Sequence, residues 1–332
     1  MNTNIWNPGR AILILAAVLT TVFTVSCAQQ ETPVYTVGAG SSTGMYADAG
    51  RALANIVNDN QAANGFRLED ELSSGSVANI DAILAGEIQF GIAQADDQYQ
   101  ALMGIDEWRD KGKQDDLRAM FSIYVESVTL VAGGDTDIRK IDDLKGKVVD
   151  IGLPGSGTHK NAVDALNAAG IDWHNDVTTV ESSVDDRLKK FMSGGLDAFF
   201  FTVGHPNKET LFATYSQRGA RLVDLSNIDD LVNESPFYTT NFIAKELYPG
   251  AKNREATITV GVRATLLTSA KVSDDVVYAA TKSVFERADK YAEIFPELSS
   301  LTDGKFLEGL TAPIHPGALR YFEEAGIAFP AP

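Results

Sequence analysis

Cysteine is nearly missing from this chain. Cys27 is the only one in 332 residues, so no intrachain disulfide can form and stability must come from a hydrophobic core. Histidine is scarce as well. His159, His174, His205 and His315 show neither H-x-x-x-H nor H-x-x-E-H spacing, and the body of the chain offers no thiolate, so neither a zinc site nor a cofactor is expected. Basic residues are outnumbered, with 28 Lys and Arg against 45 Asp and Glu and a net charge of −17. That balance excludes nucleic acid as a natural partner. The lysine of a nucleotide-binding loop is absent too. In "IGLPGSGTHKN" (Ile151–Asn161), Gly152 and Gly157 have the Walker A spacing, but Thr158 stands where that lysine is required and Lys160 comes too late.

Long apolar runs are confined to the start. Within residues 1–28, Arg10 is the only charged side chain, and "AILILAAVLTTVFTV" follows it as the apolar core of a signal peptide. No later run approaches the length that spans a membrane, so the remainder is expected to be exported to the periplasm. Cys27 admits two readings. It is a lipid-attachment site, with Thr24 in the place where a leucine-like residue is usual, or it is removed by cleavage before Gln29, with Ser26 and Ala28 as the small flanking residues. Loss of residues 1–28 leaves 27 basic against 45 acidic residues, a net of −18. An acidic surface keeps such a protein soluble, and it does not exclude an anionic ligand held by backbone N–H groups.

What is present is a repeated plan. "VYTVGAGSSTGMYADAGRAL" (Val34–Leu53) and "VVDIGLPGSGTHKNAVDAL" (Val148–Leu166) each read as strand, glycine turn with serines, and helix. "IDAILAGEIQFGIAQAD" (Ile80–Asp96) and "LKKFMSGGLDAFFFTVG" (Leu188–Gly204) each read as helix, glycine turn and strand. Ligands of open α/β sheets bind beyond the carboxyl ends of strands, where helix N-termini point, so two such lobes facing one another make a cleft. The apolar runs Phe121–Gly133 and Ala256–Ser269 are the expected crossovers between lobes. The fold class is therefore α/β: two lobes joined by paired hinge strands, lobe 1 comprising residues 29–125 plus 257–332 and lobe 2 residues 126–256. The polar stretches "DEWRDKGKQDD" and "LSNIDDLVNESPFY" are expected to be solvated connectors.

Several residues invite chemistry. "GSSTG" (Gly40–Gly44) matches the G-x-S-x-G nucleophile elbow, and a chain order of Ser42, Asp197 and His315 completes a hydrolase triad on paper. Against it, Ser42 lies in the first strand–turn after the signal segment, with no earlier strands to carry an oxyanion loop. His159 and His205 are placed to rim the cleft or to sit as partly exposed loop residues. Asp96–Asp97 and Asp185–Asp186 read as capping or surface acids. "SSGSVANI" (Ser73–Ile80) is a third helix start suited to an anion, or simply a helix capped by Ser76.

Five stretches together resemble the signature blocks of the TAXI-type solute-binding proteins (TRAP-associated extracytoplasmic immunogenic proteins). They are "VGAGSSTGMYADAGRAL", "SSGSVANIDAILAGEIQFGIAQAD", "DDLKGKVVDIGLPGSGT", "GGLDAFFFTVGHP" and "PIHPGALRYFEEAGI", in the family's order from about residue 34 to 327. The resemblance implies a type II periplasmic binding protein, monomeric and without catalysis, that delivers a small organic anion to a TRAP membrane permease driven by a sodium gradient. The implied ligands are glutamate-like amino acids and dicarboxylates such as 2-oxoglutarate. Matched block by block, it implies ligand contacts from Ser41, Ser42, Thr43 and Tyr46, from Ser76 and Gln94, and from Ser156, Gly157, Thr158, Thr202 and Gly204. The first turn departs from the commoner G-G-T-G-G form, with Ala39 and Ser41–Ser42. Periplasmic phosphate-binding proteins also carry "GAGSS" and "GSGT", but Leu153 and Pro154 stand where an arginine and an aspartate would read the phosphate. Thr158 is expected to offer a hydroxyl donor, and Gly157 to permit close backbone approach in a conformation that glycine adopts easily.

Overall fold

The computed structural model describes residues 32–327 except Thr43, Thr302 and Asp303; the signal segment and Cys27 lie outside the described residues. The first part of the chain runs β1 (Val34–Gly38), α1 (Met45–Asn58), α2 (Gln61–Asn64), β2 (Arg67–Glu71), α3 (Ser76–Ala85), β3 (Phe90–Gln94), α4 (Ala95–Met103) and β4 (Leu117–Gly133). The second runs β5 (Val148–Asp150), α5 (Gly157–Ala168), β6 (Thr178–Val180), α6 (Val184–Met192), β7 (Ala198–Val203), α7 (Lys208–Tyr215), β8 (Ala220–Leu222), α8 (Asp230–Glu234) and β9 (Tyr238–Ile243). The chain then returns through β10 (Thr257–Ser269) and ends in α9 (Asp274–Phe285), α10 (Ala288–Ala292) and α11 (Pro316–Glu324).

Strand order is β2-β1-β3-β10-β4 in one half and β6-β5-β7-β4-β8 in the other. β1 pairs in parallel with β2 and β3, and β5 with β6 and β7, as strand–helix–strand crossovers require. β4 and β10 run antiparallel to their neighbours and belong to both halves. Ser127 marks the change of partner, for it pairs with Gly261 of β10 and with Val203 of β7. The two expected crossover strands thus exist, and the architecture is the two-lobe α/β fold that the repeated sequence plan predicts.

Burial follows from the layers. β7, AFFFTV, is buried along its whole length because helices cover both faces of a central strand. Phe191, Phe199 and Phe201 pack on one side of it, and Phe200 joins Leu130, Val149 and Leu166 on the other. In the first half, α1 turns Ala49, Leu53, Ile56 and Val57 inward, and the returning α9 and α11 close the same core through Phe285 and Phe322, with Phe306 from the turn before α11. The connector around residues 106–116 is not wholly solvated. Trp108 is completely buried, and its Nε1 donates to Asp81 Oδ1 at 3.1 Å; one aromatic anchors a segment whose composition is otherwise polar.

Asn79 of α3 fastens the ends of β1 and β3. Its buried Nδ2 donates to Ala39 O at 2.6 Å and Ile92 O at 2.7 Å, and Gly38 leaves it room, since a Cβ there would lie 2.5 Å from Asn79 Oδ1. Asn79→Leu keeps the volume and strands those carbonyls, so it should lower unfolding stability by about 2 kcal/mol in a urea titration.

Candidate functional site

The carboxyl ends of β1, β3, β5 and β7 look onto one cavity of about 520 Å³. The glycine–serine turns of both halves line it, and so do nine of the expected contacts: Ser41, Ser42, Tyr46, Ser76, Gln94, Ser156, Gly157, Thr158 and Thr202. Gly204 is not on its wall; it packs against Met45 and Tyr124. Thr43 lies outside the described residues.

On the second lobe's side, two helix N-termini face the cavity. Ser156 caps α5, accepting from the His159 amide at 3.2 Å and donating to Leu153 O at 2.7 Å. The amides of Gly157 and Thr158 are left without intrahelical partners at the positive end of the helix dipole. Ser183 caps α6 by accepting from the Asp186 amide. One turn along α6 lies Arg187, the only Lys or Arg among the described lining residues. It is buried, paired with Glu209 at 2.9 Å, and its guanidinium lies 4.3 Å from the centre of the Phe201 ring.

Thr158 Oγ1 takes the Thr202 amide at 3.2 Å, which ties α5 to β7, and a hydroxyl that accepts in this way still has its proton to donate. Two sequence expectations need correcting here. Gly157 does not have the left-handed backbone; Gly152 and Gly155 do, at φ of 84° and 77°. What demands glycine at 157 is Gln94 across the cleft, because a Cβ would lie 2.7 Å from its Nε2. On the first lobe's side, the cap of α3 is Gly75, and Ser76 is the first helical residue, its hydroxyl accepting from the Gln94 amide at 3.1 Å.

The floor carries an acid that sequence reading missed. Glu126 sits mid-β4, 4% exposed, with Tyr46 Oη donating at 2.9 Å and Gln94 Nε2 at 3.1 Å, both to Oε2. Burial pushes its carboxyl up to about 8 against the pull of those two bonds, so at neutral pH it holds a proton. Arg187 and Glu126 stood in plain view, one amid the helical run before "KKF" and the other as the lone acid in "FSIYVESVTLVAG". Nothing in local spacing tells that they face a cleft.

The other candidates disperse. His315 is buried as the cap of α11, with Nδ1 accepting from the Gly317 amide and Nε2 3.1 Å from Val272 O. Asp197 accepts from the Val148 amide at 2.8 Å. Neither is hydrogen-bonded to Ser42, so the paper triad is not assembled. His205 is neutral, burial holding it down to about 3, and Nε2 lies 2.9 Å from Thr129 Oγ1. His159 lines a second cavity, of about 320 Å³, beside the first. Asp96 and Asp97 are not surface acids but buried at the start of α4, where Asn161 Nδ2 donates to Asp96 Oδ2 at 2.7 Å. Asp185 and Asp186 are exposed in the first turn of α6. Among the described residues, no group of His, Cys, Asp and Glu is placed to hold a metal ion, and no helix is long and apolar enough to cross a membrane.

Because Glu126 binds its proton more tightly folded than unfolded, its contribution to stability is full below about pH 4.5 and is lost as pH rises to about 8. Across that window the wild type should lose about 1.4 kcal/mol per pH unit relative to Glu126→Gln, read by denaturant titration of both proteins at each pH. Gly157→Ala should weaken ligand capture by pushing Gln94 away from α5, while the unfolding midpoint moves little.

Among solved structures, the chain is similar to the alkanesulfonate-binding protein SsuA from Xanthomonas axonopodis pv. citri, at 16% identity over 87% of this chain and 83% of that one, with a TM-score of 0.48. It is also similar to a putative L-cystine ABC transporter from Listeria monocytogenes, at 14% identity over 85% and 98% of the two chains, with a TM-score of 0.48. A third is the GluR0 ligand-binding core from Nostoc punctiforme in complex with L-glutamate, at 15% identity over 82% and 97%, with a TM-score of 0.43. The family profile described as NMT1-like matches residues 37–326, and the chain belongs to that NMT1-like family.

Proposed function

We propose that this chain is the extracytoplasmic solute-binding component of a transport system and that it captures a small organic anion in the cavity between its lobes. The observation that carries this reading is a single cavity walled by both glycine–serine turns, with the N-termini of α1, α3, α5 and α6 around it. Backbone amides at the helix N-termini supply local positive potential within a chain of net charge −17. The lobes divide at residues 29–125 plus 257–332 and 126–256, and closure turns on the crossing of β4 with β10. A ligand that touches both walls stabilises the closed state by its differential affinity for it.

The finer reading is a TAXI-type protein acting as a periplasmic monomer with a TRAP permease, on a glutamate-like amino acid or a dicarboxylate such as 2-oxoglutarate. It rests on the five sequence blocks and on the apolar leader before residue 29. A phosphate ion would leave much of a cavity of about 520 Å³ unfilled, which favours the larger anion. A thermal-shift screen of C4–C6 dicarboxylates, amino acids, 2-oxo acids and phosphate tests this. A true ligand at a hundred times its Kd should add about 2.7 kcal/mol of stability and reduce the radius of gyration in small-angle scattering. Stabilisation by phosphate alone would overturn the assignment.

A further inference from the structure

The cavity is chemically lopsided. Its second-lobe wall presents the α5 and α6 N-termini, with Arg187 already paired to Glu209. Its floor presents one carboxyl with a free oxygen, that of Glu126. Both hydrogen bonds to Glu126 fall on Oε2, and no other hydrogen bond reaches this carboxyl among the described residues. Gln94 offers a ligand nothing further there, because its nitrogen is spent on Glu126 and its Oε1 is buried against Gly157. The charge that acts on Glu126 is another acid, Asp96. A desolvated carboxyl with no cation beside it is costly to ionise, so the empty site keeps it protonated until a cation arrives.

We infer that Glu126 is a specificity-determining residue: its free oxygen accepts a ligand ammonium group, so the cavity prefers an α-amino acid to the 2-oxo acid of the same carbon skeleton. This rests on the solute-binding reading above and narrows it. An oxo acid's carbonyl oxygen can take only a neutral hydrogen bond, from the protonated carboxyl. An ammonium brings three donors and a charge that pairs with the ionised carboxylate, and such charge-assisted bonds are about twice as strong as neutral ones.

Capture is then linked to a proton. In the empty site Glu126 holds one, with its carboxyl at about 8; the arriving ammonium favours the ionised form, and that proton leaves to solvent. The titratable groups facing Glu126 are Tyr46 from α1, Tyr124 from β4 and Asp96 from the start of α4. Burial raises both tyrosines well above 10 and raises Asp96, so the tyrosines stay protonated throughout the range tested.

Calorimetry of the full chain with L-glutamate and 2-oxoglutarate, at pH 7 in two buffers of different ionisation enthalpy, decides the matter. L-Glutamate should bind about ten- to hundredfold tighter than 2-oxoglutarate and release most of one proton. Its affinity should rise about tenfold per pH unit up to pH 8. Glu126→Gln, checked for an unchanged fold by circular dichroism, should erase both the preference and the release; the wild-type release stands as evidence without any variant. Equal or tighter binding of 2-oxoglutarate, or glutamate binding without proton release, overturns the role of Glu126 and leaves the solute-binding reading standing. Binding of neither compound, nor of any other amino acid or 2-oxo acid in the panel, overturns both.

Discussion

The antiparallel pairing of β4 with β10 is the constraint on which everything else rests. Each strand is long enough to serve two sheets, so the hydrogen-bond ladders of both lobes are anchored in the same pair of backbones. The partner change at Ser127 places Glu126, its neighbour, where the lobes meet. A side chain at that position is buried whichever way its strand is viewed. The fold thereby creates a desolvated floor without needing a dedicated element to build it.

Desolvation then acts differently on the two sides of the cavity. It makes Glu126 hold a proton, since a carboxylate in low dielectric lacks the solvation it has in water. The N-termini of α5 and α6 stand at the more open side, where Ser183 and Asp185 are exposed, and they face the cavity with amides that have no intrahelical partner. Arg187 reaches this environment only as part of a pair with Glu209 and against aromatic faces, which is how a buried guanidinium is ordinarily held. An acidic protein can in this way present an anion-accepting wall, for surface charge and cavity potential arise from different groups.

Much of the fold was legible in the sequence because its signals are local. The glycine–serine turn from Gly152 to Ser156 and the apolar run of β7 each express their structure within a few residues. The repeated strand–turn–helix plan added topology, since parallel strands joined by helices have few ways to cross over. The site was legible in outline for the same reason: turns beyond strand ends gather wherever such lobes face each other. Errors arose where a residue's role depended on a partner far along the chain. Gly157 was read as needing a backbone that only glycine adopts easily, yet its φ is not left-handed and it is Gln94 from the other lobe that crowds it. Asp96 and Asp97 were read as capping or surface acids; they do start α4, yet both are buried, Asp96 beneath Asn161 of α5.

By itself, then, the sequence determined the elements, their order and the two turns that face the cavity, all of which depend on backbone preference and on periodicity over short spans. Tertiary structure alone decided the chemistry between the turns. Tyr46 meets Glu126 across 80 residues and Gln94 meets it across 32, while Gly157 owes its identity to Gln94 in the opposite lobe. Proton affinity, the vacancy of one carboxylate oxygen and the closeness of the two lobes are properties of how far a group lies from water and from its neighbours. Those distances exist only after the chain has folded.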